Sequence, residues 1–450
     1  MTAAPTRRPR LVPSRRLALA ALLAWAGSSG AQAQSLVDLY EAARGFDATY
    51  LSARSQYDAN LAKAEQARAG VRPQVGLGGS ATWSDRNSSA NVLDGSYNNQ
   101  AVTLSASQPL YRPANSAAAE QGRLSVSVAE AQLQAAEQEL IVRTTQAYFD
   151  VLAAQDTVTF VQAQKAAVAE QLAAAKRNFE VGTSTVTDSR EAQARYDLVL
   201  AQEIAAENDL RVKKLALDQL VGRSGVAPKP LAVPVALPAL APADPQAWVG
   251  LAETTHPSVL QATQGLEIAR LETEKAKAGE KPTLDLIGQY QVARGPSSSS
   301  AIPGYVRNNT GTVGLQFNLP LYAGGALQNR IKETLALEDK ARTDLEAARR
   351  GVAQATRSAY FGVLSGQSQV KALEAAEASS QSALEANQLG YQVGVRINID
   401  VLNAQSQLFQ TKRDLAAARY NVLIGGLRLK QASGQLKGED LQAVNALLVP

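Results

Sequence analysis

Few residues in this chain could do chemistry. Of 450 residues none is Cys and only one, His256, is His. A thiolate nucleophile, a disulfide, a thiolate zinc site and a lipidated Cys are therefore excluded. A single imidazole cannot build a multi-histidine metal site and leaves little for histidine acid–base chemistry. His256 stands in Thr254-Thr255-His256-Pro257, which reads as a local turn or helix break holding an ordinary polar residue. Gly76-Leu77-Gly78-Gly79-Ser80-Ala81 formally matches GxGxxA, the loose dinucleotide pattern. A nucleotide loop must follow a strand and open a helix, whereas these glycines lie inside an alternating segment. No GxxxxGK stretch exists, so any energy must come from a partner. No reaction site assembles: the chain reads as neither an enzyme nor a cofactor or metal carrier. One acid stands out. Asp400 follows the turn Val393–Ile399 and opens a long helix. There a carboxylate complements the macrodipole, a role common on surfaces, and a functional role stays open beside it.

The elements that would position such residues begin after an address. Residues 1–33 hold five arginines and no acid, followed by the apolar run Leu17–Ala26 and then Ala31-Gln32-Ala33. Basic n-region, short h-region and A-x-A site make a secretory signal peptide, too short to span a bilayer as a helix. Without those five arginines, 40 of the 45 basic residues remain against 41 acidic ones. The formal charge of +4 thus falls to about −1, and a nucleic-acid partner loses its support.

The body repeats. Tyr148-Phe149 recurs as Tyr360-Phe361, Val181-Gly182 as Val393-Gly394, Asp188 as Asp400, and Ala192-Gln193 as Ala404-Gln405, all offset by 212 residues. The halves cover 34–222 and 246–434, joined by a connector, 223–245, whose prolines exclude helix. A tail, 435–450, closes the chain. Each half opens with an Ala-rich helical stretch, Gln34–Val71 in the first. Period-two alternation then predicts strands at about 75–84 and 101–110, and at about 283–293 and 312–321. Pro113–Glu180 and Ala323–Gln392 read as single helices of about 100 Å. Their apolar positions 133, 140, 151 and 158 advance by 7 and 11, the spacing of coiled-coil seams. Tip turns at 181–188 and 393–400 lead into shorter helices. Two short helices end to end match one long helix, which suggests a barrel of long helices beside stacked pairs.

Ten-residue strands with one apolar face suit the wall of a tilted transmembrane barrel. Four strands cannot close, and open edges are not tolerated in hydrocarbon. Three copies about a common axis would supply twelve strands, with the Thr, Ser, Gln and Asn face lining a watery lumen.

With those repeats, strand–loop–strand inserts and connector, the chain resembles the TolC family of outer-membrane efflux and secretion ducts. The strongest local match runs from Gly390-Tyr391-Gln392-Val393-Gly394-Val395-Arg396 through Asp400-Val401-Leu402-Asn403-Ala404, with a sister at Phe179–Gly182 and Thr187-Asp188. The resemblance implies an α+β membrane protein in which a long α-helical hairpin barrel continues into a transmembrane β-barrel. Each of three identical chains would give four strands, making 12 strands and a 12-helix periplasmic tunnel, with connector and tail forming an equatorial belt. The implied partners are a periplasmic adaptor, an inner-membrane transporter of ABC or RND type, and outer-membrane lipid. Asp400 would project into the lumen at the periplasmic entrance as a ring that attracts cations. The family pattern has a second acid one turn later, where this chain has Asn403, so the constriction would carry three charges rather than six. Tyr391 and Arg396 on one tip, with Thr187 and Asp188 on the other, would latch the closed state.

The expected function is the passive exit duct of a tripartite export machine, favouring type I protein secretion over small-molecule efflux. A trimeric structural or adhesive coiled-coil membrane protein is the rival from another class, but it would place its strands at one chain end.

Overall fold

A computed structural model describes residues 34–87, 95–232, 234–297 and 304–449. The expected signal peptide and the distal parts of both hairpin loops lie outside these residues. Two unequal structural themes follow one another twice. Helices α1 (Leu36–Phe46) and α2 (Ala48–Ala69) lead into strands β1 (Gln74–Arg86) and β2 (Gly95–Tyr111). Helices α3 (Pro113–Glu180) and α4 (Val186–Val221) complete the first half. The second half repeats the order with α5 (Pro245–Thr255), α6 (Pro257–Ala278), β3 (Thr283–Pro296), β4 (Tyr305–Asn318), α7 (Ala326–Gln392) and α8 (Asn398–Ala432), and a short α9 (Asp440–Asn445) follows. Among the described residues no helix is long and apolar enough to cross a membrane.

Several boundaries depart from the expected ones, and β2 starts at Gly95 rather than at about 101. The stretch 34–71 is two helices, because Asp47 turns its carboxylate to the Tyr50 N–H at 2.8 Å and caps α2. The last strand runs from Tyr305 to Asn318 and not over 312–321. Residues 305–311 join it because β3 offers partners as far as Pro296, and Pro320, which lacks an N–H, lies beyond its end. The second long helix starts at Ala326, after two positive-φ glycines, Gly324 and Gly325.

The long helices pack as their seams require. α3, 68 residues long, carries α2 along its first half and α4 along its second. α7 carries α6 and α8 in the same way, and α3 also touches α6 and α8. At Gly122 of α3 an added Cβ would lie 2.9 Å from that of Ala67, so the α2–α3 seam closes only on glycine. His256 ends α5 and caps α6, its Nδ1 accepting from the Ser258 N–H at 3.1 Å. Burial pushes this imidazole below its ordinary pKa and keeps it a neutral acceptor.

The largest apolar cluster sits midway along the helices, where α1, the connector and the C-terminal residues wrap α3 and α8. Phe149 stacks on Tyr420 with centroids 5.3 Å apart, and the Tyr420 hydroxyl donates to half-buried Asp156 at 2.6 Å. The repeat-related Tyr148 and Tyr360 do the same job: each donates its hydroxyl to a connector carbonyl, Lys229 (2.8 Å) and Ala243 respectively. A repeated Tyr-Phe pair thus ties the connector to both halves.

The strands form one antiparallel sheet in the order β1-β2-β3-β4, leaving β1 and β4 as edges. Its register stacks Leu77, Leu104 and Tyr290 in one row and Leu286 with Leu315 in another, all on one exposed face. The opposite face carries Ser80, Thr103, Gln291 and Thr310. Helices leave from one end of the sheet only. Arg112, between β2 and α3, grips Asp285 of β3 through two bonds, Nε–Oδ1 at 2.8 Å and Nη2–Oδ2 at 2.5 Å.

Candidate functional site: the hairpin tips

Both long helices end in the same turn. Gly182 (φ 77°) follows α3 and Val181, and Gly394 (φ 80°) follows α7 and Val393. The left-handed conformation is one glycine adopts without steric cost. Beyond that point the repeats differ by one decisive residue. In the first, Thr185 caps α4: its hydroxyl accepts from the Asp188 N–H at 3.2 Å. The Asp188 carboxylate accepts in return from the Thr185 N–H (3.0 Å) and hydroxyl (2.8 Å). That closed capping box consumes the acid. In the second, Ile397 stands in Thr185's place and makes no side-chain cap. Asp400, the counterpart of Asp188, therefore has no hydroxyl to hold it. Its carboxylate lies 3.7 Å from the Arg396 guanidinium, with side chains 34% and 59% exposed.

Removing the cap has a measurable consequence. Thr185→Ala is expected to speed amide hydrogen exchange in the first turn of α4 about fivefold, the effect of about 1 kcal/mol of lost capping. The first turn of α8, which has no such cap, should be unaffected.

The remaining expected residues divide between two contacts. The Tyr391 hydroxyl accepts from Asn178 Nδ2 at 3.2 Å and joins the end of α7 to that of α3. Asn403 accepts through Oδ1 from Arg195 Nη2 at 2.8 Å, joining α8 to α4. Thr187 is exposed beside Asp188. Among the described residues no hydrogen bond or ion pair joins Tyr391 or Arg396 to Thr187 or Asp188 within the chain. Arg396 turns to Asp400 and Asp188 to Thr185, so a latch between these two pairs needs a neighbouring copy. Asp400, Asn403, Gln407 and Gln410 follow one another at three- and four-residue spacing and make one polar stripe on α8.

Sequence reasoning missed the residue that pins the tips together. Asn398 is 1% exposed; its amide donates to the Asp188 carbonyl at 3.4 Å and its oxygen accepts from Gln171 of α3. A signal was present: at the 212-residue offset Asn398 replaces Val186, a polar residue where the sister repeat is apolar. Arg195 and Asn178 carried no such mark. Among the described residues no cluster of three or more His, Asp or Glu could hold a metal ion.

With this geometry in hand, the relatives are informative. The family model described as outer membrane efflux protein matches residues 39–223 and 248–435, the two halves. The outer membrane protein TolC of Escherichia coli is 34% identical over 429 residues, covering 94% of this chain and 86% of that protein. The alkaline protease secretion protein AprF of Pseudomonas aeruginosa is 29% identical, covering 93% and 88%. Among solved structures, the outer membrane protein VceC of Vibrio cholerae superposes with a TM-score of 0.77 at 21% identity, covering 89% of this chain and 96% of that one. The chain therefore belongs to the outer membrane efflux protein family: it is a TolC-type outer-membrane duct with a periplasmic helical tunnel, and not an enzyme.

Proposed function

We propose that three copies of the chain form the exit duct of a tripartite export machine, working with a periplasmic adaptor and an inner-membrane transporter, and that its cargo is protein exported by the type I route. The observation that carries the assembly is the sheet. Its edges β1 and β4 are unpaired and its apolar face is open, with Val313 81% and Leu77 75% exposed. Unpaired edges are too costly in hydrocarbon, and three four-stranded sheets closed edge to edge remove every one of them. The exposed Phe361, whose repeat mate Phe149 is buried, gives the helices a further unused apolar contact for a neighbouring copy. The secretion reading is supported by the names of AprF and of the proteases secretion protein PrtF of Dickeya chrysanthemi. Small-molecule efflux is the second reading, favoured by the family's own description.

In this assembly Asp400 forms the acidic ring of the constriction with Asn403 one turn further in, and Tyr391, Arg396, Thr187 and Asp188 form the latch between neighbouring tips. Replacing Tyr391 by Phe and Arg396 by Ala together is expected to raise resting single-channel conductance in planar bilayers several-fold. Unchanged conductance would remove the latch from the proposal. Deletion of the gene separates the two cargoes. Lost export of protein with unaltered drug sensitivity supports secretion, and the reverse result supports efflux.

A further inference from the structure

The register places two arginines directly opposite each other on the apolar face of the sheet. Arg294 of β3 pairs with Arg307 of β4, in the row that continues through Gln100 to Ala81. Like charges facing each other across a ladder repel. Both side chains are exposed, and among the described residues neither belongs to an ion pair. One lies over an aromatic ring on its loop side: the Arg294 guanidinium is 5.8 Å from the centroid of Tyr305. The small residues Gly79 and Ala81 leave a cleft of about 740 Å³ on this face, with Val102 and Val292 as its apolar floor and the two arginines at its rim.

The depth of this row matters. From Leu284 to Arg294 β3 advances ten residues, which for a tilted strand is about the height of an apolar band. The arginines thus stand where the band ends, on the side of the hairpin loops and away from the helices. Trp83 follows in the next row, 67% exposed, and Tyr305 fixes the same level by accepting from the Asn98 N–H at 2.9 Å. Aromatic residues of this kind mark the membrane–water interface. A cationic pair there costs little, whereas at the bilayer midplane it would be strongly destabilising.

We propose that Arg294 and Arg307 bind a phosphorylated lipid headgroup of the outer leaflet, with an acyl chain lying in the cleft over Gly79 and Ala81. The guanidinium forks suit phosphate oxygens, and the anion relieves the repulsion that the register imposes. The inference rests on the outer-membrane location of the sheet but not on any cargo or gate.

The test uses the full-length protein reconstituted in phosphatidylcholine vesicles containing diphosphoryl lipid A, with retained lipid counted by native mass spectrometry after detergent extraction. The double variant Arg294→Gln/Arg307→Gln is expected to bind lipid A about tenfold more weakly than the unaltered protein. Quenching of Trp83 by brominated lipid, unchanged in the variant, checks that the sheet still inserts. Equal retention by both proteins would overturn the proposal, and so would displacement of the lipid by millimolar inorganic phosphate, which would mark a simple anion site. If the double variant does not assemble, Arg307→Gln alone carries the test with about a threefold loss expected. Conductance is read separately on the same vesicles, so a protein that binds lipid A but does not conduct counts against the duct and not against this site.

Discussion

Replacing Asp400 by Ala is expected to raise the concentration of divalent or trivalent cation needed to block the channel by about a hundredfold. In the proposed trimer three carboxylates converge on one axis, and a multivalent cation at the centre feels all of them. At an effective dielectric near 20 each charge a few ångströms away contributes on the order of a few kcal/mol, so losing three outweighs any rearrangement of the tip. Two contacts would limit the strength of the proposed ring. Asn403, one turn along the stripe, carries no charge and is itself held by Arg195 at 2.8 Å. Arg396, 3.7 Å from Asp400, neutralises part of each charge. Asn403→Asp should therefore tighten block. Ile397→Thr tests the physical origin of the ring more directly. It rebuilds in the second repeat the capping residue that Thr185 supplies in the first, and should draw Asp400 into a closed box as Asp188 is drawn. Block should weaken although no charge has been removed. Planar-bilayer current with graded cation on the periplasmic side reads all three variants. If Asp400→Ala leaves block undiminished, the acidic ring lies elsewhere.

That contrast between Thr185 and Ile397 shows what a sequence carries and what it withholds. The 212-residue offset made both halves and both tips visible, because repetition needs no knowledge of packing. Strand alternation was plain wherever the sheet divides lipid from water, as at Val313, Leu315 and Phe317. It failed at Arg307–Gly311, where Arg307, Asn309 and Gly311 occupy the apolar face without apolar side chains and pairing with β3 makes the segment a strand. The break at Asp47 was hidden for another reason. No Pro marks it, Gly45 falls inside α1 as its second-last residue, and the capping Asp also meets α3, where Arg143 pairs with it at 2.8 Å. At the tips, sequence matching named Arg396, Tyr391, Thr187 and Asp188 without saying which partner each takes inside a chain. That choice depends on whether a hydroxyl stands at the cap, a difference of one residue within a repeat that otherwise looks alike. Asn398 and Arg195 show the same limit: their partners lie on other helices, more than 200 residues away in the chain.

The hand-over from sheet to helix is where a single change should cost most stability. Arg112→Ala is expected to destabilise the protein by about 3 kcal/mol, read from denaturant or thermal unfolding in detergent. Asp285 is 4% exposed, and both of its carboxylate oxygens accept from the Arg112 guanidinium. Removing the guanidinium leaves that charge enclosed without a partner, which costs far more than the attraction itself contributed. The site also holds a geometry that nothing else in the second half duplicates. With Pro109-Leu110-Tyr111 matched to Pro320-Leu321-Tyr322, Arg112 corresponds to Ala323, and β4 passes to α7 through Gly324 and Gly325 with no ion pair among the described residues there. Neighbouring polar bonds reinforce the first hand-over: Asn115 Nδ2 donates to the Gly70 carbonyl at 2.5 Å, and Gln108 Nε2 to that of Val71 at 3.1 Å. These bonds tie α3 and β2 to the turn after α2 but leave Asp285 on β3 unanswered. The double change Arg112→Ala/Asp285→Asn should therefore recover much of the loss, since the stranded charge is gone while the neighbouring bonds remain. A single variant within about 0.5 kcal/mol of the native protein would show that water reaches Asp285 freely. A double variant as unstable as the single would show that packing around Arg112, rather than its charge, joins the sheet to the helices.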